Sequence, residues 1–142
     1  MTQPLAGYHF TVEWGGTRLG FTEVDGLDIE NEVLEYREGS WPEPASTKLP
    51  GLRKYANLVL KRGLVLNDND FFDWMQTVGN GSAERRDMTI SLLNEEHTPT
   101  VTWRVKGAWP VRLTGPKLDA LQGRIAIETL EIAHEGLTVR VD

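Results

Sequence analysis

Apolar and polar residues alternate along much of the chain, and this two-residue period is typical of strands with one buried face. The pattern begins with the apolar residues Tyr8, Phe10, Val12 and Trp14. Gly15-Gly16 follows as a two-residue turn of the kind that closes a hairpin. The sequence therefore predicts a first strand and a return strand that runs from Leu19 through Phe21 to about Val24.

The alternation is less regular between residues 27 and 62. From Leu27 to Tyr36 the apolar positions change parity, which predicts a bulge or a strand packed on both faces. Residues 39–51 are rich in proline and glycine and predict an extended loop, in which Trp41 is poorly placed for a core. From Leu52 to Arg62 we expect another strand, with alternate leucines facing inwards: Leu58 and Leu60.

One segment changes to the period of a helix. Four apolar residues share one helical face: Phe71, Phe72, Met75 and Val78. Asp68 is the predicted N-cap, and Gly79-Asn80-Gly81 is expected to end the helix. This is the one convincing helix in the sequence.

Strand patterns return in residues 88–92, 101–105, 111–113, 125–132 and 137–141. The sum is about eight strands and one helix, with connections near hairpin length. That combination predicts a mainly β protein: an antiparallel β-barrel or sandwich with one flanking α-helix. A length of 142 residues suits one domain, so residues 1–142 are expected to form it.

Composition excludes several classes of function. The net charge is −6, whereas phosphate neutralisation needs clustered cations, so sequence-specific nucleic-acid binding is not expected. The chain has no cysteine, which excludes disulfides and thiolate chemistry. The start of the chain lacks the pattern of a signal peptide, and no apolar run is long enough for a membrane anchor. We therefore expect synthesis in the bacterial cytoplasm.

Candidate chemistry in the sequence is weak. Residues 67–73 are acidic, but the spacing lacks the central glycine and final glutamate of a calcium loop, which favours helix capping. His9, His97 and His134 are far apart and match no zinc motif. There is no nucleophile elbow and no phosphate-binding loop. We expect no catalytic residue, no metal and no cofactor, although carboxylates are too numerous to exclude an acid–base pair from sequence.

A series of short motifs resembles one known family in order and spacing. They are Phe21-Thr22-Glu23-Val24-Asp25-Gly26-Leu27, Tyr36-Arg37-Glu38-Gly39, Lys48-Leu49-Pro50-Gly51, Leu60-Lys61-Arg62-Gly63, Asn67-Asp68, Trp74, Arg85-Arg86-Asp87, Leu92-Leu93-Asn94-Glu95, Trp103, Ala108-Trp109-Pro110 and Glu131-Ile132-Ala133-His134-Glu135-Gly136-Leu137. Together they resemble the phage tail tube family of contractile tails and extracellular contractile injection systems, which is related to the type VI secretion tube protein. The resemblance covers about residues 8–137.

The resemblance implies a β-barrel flanked by a helix, and a structural role without catalytic residues. It implies hexameric rings that stack into a hollow inner tube. The implied partners are the chain itself, a sheath protein, baseplate and spike proteins, a tube-cap protein and protein cargo in the lumen. Such a subunit works as part of an assembled virion tail or contractile particle, which is driven through a target envelope.

Two sets of residues follow as site hypotheses. The strands at Leu27–Tyr36 and Leu52–Arg62 are expected to form the lumen wall, with Glu30, Glu32 and Glu35 facing the lumen. The 39–51 loop is expected to make ring-to-ring contacts. The predicted interface residues are Tyr36, Arg37, Trp41, Leu49, Lys61, Arg62 and Arg85. The basic pairs at 61–62 and 85–86 are equally well explained as solubility charges at strand ends.

Three alternatives stay open on sequence alone. A ring protein like the type VI tube protein would carry effectors in its lumen without long tubes. Independently of that reading, Trp41 would make no ring-to-ring contact if it folded back onto its own barrel. A small β-barrel enzyme or ligand-binding module would instead stay monomeric and contain a deep polar pocket.

Overall fold

The computed structural model describes residues 3–16 and 20–142. Its elements in chain order are β1 (Phe10–Glu13), β2 (Glu23–Asp25), β3 (Ile29–Tyr36), β4 (Thr47–Tyr55), β5 (Leu58–Gly63), α1 (Asp70–Met75), β6 (Arg86–Leu93), β7 (Pro99–Thr114), β8 (Ile127–Ala133) and β9 (Gly136–Val141). The predicted return strand is present in part as β2, and its predicted start at Leu19 lies outside the described residues. The predicted hairpin closed by Gly15-Gly16 is wrong, because β1 pairs with β6 and β2 pairs with β5.

Seven strands form one antiparallel sheet in the order β1-β6-β7-β8-β5-β2, with β9 also paired to β7. The 16-residue β7 holds this sheet together. Its first half pairs with β6 and β9, and its second half pairs with β8. Register shifts in these ladders mark bulges, which bend the long strand. A mainly antiparallel β fold with one helix in the described residues confirms the predicted fold class.

β3 and β4 form a separate two-stranded sheet. The predicted loop at 39–51 is therefore shorter than expected, because Thr47 to Gly51 belong to β4. Pro50 is tolerated there since each strand of a two-stranded sheet has a free edge. The strand predicted from Leu52 to Arg62 is also divided, because Ala56 and Asn57 separate β4 from β5.

The helix is shorter than its pattern predicted, and it buries a different pair of side chains. It ends at Met75, four residues before Gly79, with Phe71 and Trp74 buried and Phe72 47% exposed. Asn69 occupies the N-cap position without a side-chain cap. The predicted cap, Asp68, lies one residue earlier, where its carboxylate accepts a hydrogen bond from the Asp70 amide at 3.2 Å.

The core lies between the sheet and α1. Its buried hydrophobic residues are Val12, Trp14, Leu58, Leu60, Phe71, Trp74, Met88, Ile90, Val105, Ala108, Leu130, Ile132 and Leu137. Trp14 from β1's C-terminal flank contacts both aromatic rings of the helix, with ring centroids 5.1 Å from Phe71 and 5.8 Å from Trp74. Apolar burial of this kind is the main favourable term in folding.

Arg62 is the exception in this core, since it is only 1% exposed. Its inward position continues the alternation of Leu58 and Leu60 on β5. Its Nε donates to the carboxylate of Glu128, its direct cross-strand partner on β8, at 2.7 Å, and its Nη2 lies 3.2 Å from Asp68. The guanidinium also lies 3.8 Å from the centre of the Phe71 ring. One side chain thus joins β5, β8 and the start of the helix.

We predict that Arg62→Met lowers the free energy of unfolding by about 3–5 kcal/mol, because Glu128 and Asp68 would lose their buried cation. Lys61→Met is the matched control on the neighbouring residue. The Lys61–Glu23 ion pair is 40% and 53% exposed, so its loss should cost less than about 1 kcal/mol. Denaturant unfolding of both variants measures the difference, and equal stabilities would contradict the role given to Arg62.

Candidate assembly surface

Residues 29–55 form an arm, which consists of β3, β4 and the loop between them. In the part of the chain that the structure describes, its strands pair with each other and with no strand of the seven-stranded sheet. The arm nevertheless exposes several large apolar side chains: Ile29, Val33, Leu34, Tyr36, Leu49 and Leu52. An isolated two-stranded sheet is marginally stable in water, and exposed apolar clusters mark interaction surfaces. The arm is therefore the first candidate for contact with another chain.

The register of the arm separates its two faces. Leu34 pairs with Leu49, and Glu30 pairs with Lys54, so these four share one face. This face is charged near the barrel and apolar near the tip. Ile29 pairs with Tyr55 and Glu35 pairs with Lys48 on the opposite face, where the order of apolar and charged residues is reversed.

The tip of the arm, at residues 36–46, is organised by Arg37. Its guanidinium donates to the carbonyl oxygens of Trp41 at 2.9 Å and of Glu43 at 2.8 Å. Trp41 packs edge to face on Tyr36, with ring centroids 5.8 Å apart. Trp41 therefore folds onto its own arm and not onto the barrel. Arg37 holds the loop together within its own chain, and its predicted contact with a neighbouring subunit stays a prediction.

The root of the arm is fixed to the barrel by a few polar contacts. Gly26, with φ of 94°, opens the turn into the arm, and a Cβ at this position would overlap the carbonyl oxygen of Asn57. The Asn57 side chain donates to Glu131 on β8 at 2.9 Å. His134 Nε2 lies 3.1 Å from the carbonyl oxygen of Ala56, and its ring packs on Tyr55. Burial lowers the pKa of His134, and nearby backbone hydrogen bonds oppose the shift.

The predicted interface residues fall into different environments. Tyr36 and Leu49 are about half exposed at the arm tip. Arg85 is exposed and pairs with Glu135 at 2.9 Å, with Trp109 beside its guanidinium. Lys61 pairs with Glu23. For these residues the interface role stays a prediction. Arg62 is a correction, because it is enclosed in its own subunit.

The three glutamates proposed for the lumen do not share a face. β3 alternates, so Glu30 and Glu32 point to one side and Glu35 to the other. The bulge lies on β4, between Pro50 and Arg53, and leaves the parity of β3 intact. Glu35 therefore cannot face the same lumen as the other two. For Glu30 and Glu32 the lumen-facing role stays a prediction.

Sequence reasoning missed a second apolar surface, here called the end cluster: Leu64, Val65, Leu66, Leu118, Leu121 and Ile125. Its members are between 46% and 96% exposed. The Leu64 amide donates to the carbonyl oxygen of Ala126 at 2.9 Å, which joins the two segments. Beside it lies a cavity of about 490 Å³ lined by Leu118, Ala126 and charged side chains. The run Leu64-Val65-Leu66, placed just after a strand, was the signal that could have found it.

Other candidate chemistry is not gathered into a site. His9 and His97 come together at the edge of the sheet, with ring centroids 4.4 Å apart, whereas His134 lies at the arm root. Across residues 3–16 and 20–142 no group of three or more histidines and carboxylates is placed to hold a metal ion. The same residues include no helix that is long and apolar enough to cross a membrane.

An antiparallel barrel with a helix, an unsupported arm and an exposed apolar end defines a protein built for assembly. The sequence matches the family described as T4-like virus tail tube protein gp19 over residues 6–138. The chain therefore belongs to the tail tube protein family, whose members are structural subunits of phage-tail and contractile injection tubes. A comparison with curated proteins found no match.

Solved structures agree with this assignment. The fold matches a chain of the anti-feeding prophage cap, a tube-terminating cap, with 31% identity and a TM-score of 0.91, over 100% of this chain and 94% of that one. It matches a chain of an extracellular contractile injection system sheath-tube complex in the extended state with 31% identity and a TM-score of 0.88, over 98% and 93%. Hcp1 from Flavobacterium johnsoniae, at 12% identity and a TM-score of 0.58 over 95% and 97%, shares the fold alone.

We predict that stability falls as the pH drops below about 6.5, in part through His134. Burial lowers the pKa of His134 in the folded state, so the unfolded chain binds this proton more readily. His134 therefore contributes its full stability above the unfolded pKa, and the contribution is lost as the pH falls towards the folded pKa. Denaturant unfolding at several pH values between 7.5 and 5 measures this. The free energy of unfolding should fall less steeply with decreasing pH for His134→Gln than for the wild type, and an equally steep fall would contradict the role of His134.

Proposed function

We propose that this protein is the inner-tube subunit of a contractile injection particle, and that it forms hexameric rings that stack into a hollow tube. The observation that carries this proposal is the arm, a hairpin that pairs with no strand of the seven-stranded sheet in the described residues and that exposes large apolar side chains. Family membership supports the tube, and a structure described as a 6-fold symmetrised anti-feeding prophage baseplate, 25% identical with a TM-score of 0.84, supports the sixfold ring.

Within this proposal the protein acts by assembly and not by catalysis. The arm contacts the next ring through its tip, where Tyr36, Trp41 and Leu49 form an apolar surface. Aromatic and aliphatic anchors of this kind carry most of the energy of an interface. The edge strands β1, β2 and β9 have unpaired backbone groups on one side within the described fold, and pairing between neighbours would close the ring.

The particle supplies the other partners. The names of the matched structures include a sheath, a tube terminator, a baseplate and a cap, and we propose the corresponding proteins as partners of this chain. Protein cargo in the lumen is a further proposal that rests on the family. We propose synthesis in the bacterial cytoplasm and function within the assembled particle.

The proposal predicts that the purified protein forms hollow rings or tubes of constant width when it is concentrated or added to a matching baseplate. Negative-stain microscopy and sedimentation measure this. Isolated rings that never stack would favour the effector-carrying type VI-like alternative. A species that stays monomeric under both conditions, without joining any tube, would contradict the proposal.

Labelling tests the lumen prediction, because the chain has no native cysteine. In assembled tubes, Glu32→Cys should react with a small maleimide but not with a maleimide coupled to a polymer too large for the lumen. Glu35→Cys, three residues away on the opposite face, is the matched control and should not show that size dependence. Free subunits should react with both reagents. Equal reaction of Glu32→Cys with both reagents in tubes would contradict a lumen-facing position.

A further inference from the structure

The arm and the end cluster lie at opposite ends of the same pair of strands. β5 begins at Leu58, directly after the arm, and ends at Gly63, directly before the end cluster. Its partner β8 runs back, so that Leu58 faces Ile132 and Gly63 faces Ile127. At about 3.3 Å per residue, β5 separates the root of the arm from the end cluster by roughly 20 Å. The described residues thus expose one apolar surface on the arm side of β5 and another at its opposite end.

We propose that the end cluster is the acceptor for the arm tip of the next copy of this chain. The inference deepens, and rests on, the proposed function as a stacked tube. A contact between two different surfaces of identical chains is heterologous, and such contacts repeat without closing when they run along an axis. Arm to end cluster is therefore a contact that builds a stack with a single direction.

The chemistry of the two surfaces is complementary. The arm tip offers an apolar patch from Leu34, Leu49 and the Tyr36–Trp41 pair. The end cluster offers Leu118 and Leu121, 84% and 96% exposed, which is unusual for a soluble monomer. Burying both surfaces against each other would remove both sets of exposed apolar side chains from water in a single contact.

Charges at the rim agree with this pairing. The tip loop carries Glu38 and Glu43 on its surface, while the Arg37 guanidinium turns inwards to backbone carbonyl oxygens. The segment around the acceptor cavity carries Lys117 and Arg124. Asp119, the acidic residue there, accepts a hydrogen bond from the Leu121 amide at 3.0 Å and is partly engaged in its own loop. Opposite charges around an apolar centre steer encounter and fix orientation.

The segment that carries Leu118 and Leu121 is suited to fit against a partner. Residues 115–126 connect β7 to β8 without a strand or helix, and their internal hydrogen bonds are short-range turns such as Gln122 to Asp119. A loop of this length inside a small domain is commonly functional. The cavity of about 490 Å³ beside Leu118 has room for a side chain of the size of Trp41 or Leu49.

Cross-linking provides the direct test. Tubes are assembled from a mixture of Leu49→Cys and Leu121→Cys chains and treated with a short bis-maleimide; covalent dimers should form. The matched control mixes Lys48→Cys with Leu121→Cys, because Lys48 is the adjacent residue on the other face of the arm. We expect a several-fold higher dimer yield for the Leu49 mixture. Equal yields, or dimers only between two Leu49→Cys chains, would overturn the proposal.

A second pair of variants tests the end cluster without cysteine substitution or cross-linker. Leu118→Asp/Leu121→Asp should keep the fold, measured by circular dichroism and thermal unfolding, and should give rings without tubes. Leu5→Asp, a similar change at a 52% exposed leucine outside the end cluster, should still form tubes. Normal tubes from the double variant with loss of sheath binding would show that the end cluster faces the sheath, and would overturn the assignment to a second copy.

The outcomes separate this inference from the proposed function. Wild-type protein that forms no ring or tube would count against the tube proposal and, with it, against a head-to-tail contact. Wild-type tubes in which Leu49 and Leu121 do not cross-link would leave the tube intact and overturn only the acceptor site.

Discussion

The fold depends on a buried cation that the core must keep in place. Arg62 occupies an inward position on β5, where an aliphatic residue would satisfy the strand pattern more simply. Its charge is balanced by Glu128 across the ladder and by Asp68 at the start of the helix segment, and its flat face lies over Phe71. A buried ion pair adds little net stability compared with apolar packing, but a structure that separates the two charges leaves each one buried without a counter-charge, which is strongly destabilising. The arrangement therefore favours one register of β5 on β8 and one position of the helix.

That fixed register has consequences beyond the core. The same two strands carry the arm root at one end and the end cluster at the other, so the Arg62–Glu128 pair also sets the distance between the two surfaces. A slip of the ladder would move one surface relative to the other in every copy. Because small errors add up along a stack, a tube subunit needs this distance to be constant. We infer that the buried pair contributes specificity of shape more than free energy.

Much of the fold could be predicted from the period of the sequence, and the failures have physical causes. Leu58 and Leu60 were expected to face inwards and do so. The same alternation also points Arg62 inwards, whereas its charge had led to the prediction that it lies at an interface. On β8, Glu128 takes the inward position opposite Arg62, so the apolar Ile127 lies on the other face of the strand. The helix was overestimated because Phe72 and Val78 fit a helical face but are exposed.

The site was harder to predict because its residues break the rule that apolar side chains are buried. On the arm, Leu34 lies in a predicted strand, but its partner Leu49 lies in the segment predicted as a loop, since proline and glycine interrupt β4. On the end cluster, Leu118 and Leu121 stand in a segment with no period at all. Periodicity assigns burial within one chain, whereas these residues are arranged for a second copy. The two surfaces can be related to each other once the structure shows them at opposite ends of β5.

The exposed arm also explains how a subunit could remain unassembled and yet join a tube firmly. A lone two-stranded sheet is marginal in water, so the free arm has little intrinsic stability beyond its root contacts at Asn57 and His134. Arg37 and the Tyr36–Trp41 pair keep the tip ordered, which reduces the entropy lost on docking. One arm contact is then weak enough to release a wrongly placed subunit, while six such contacts per ring, in the proposed hexamer, act together. Reversible single contacts and a stable whole follow from the same small hairpin.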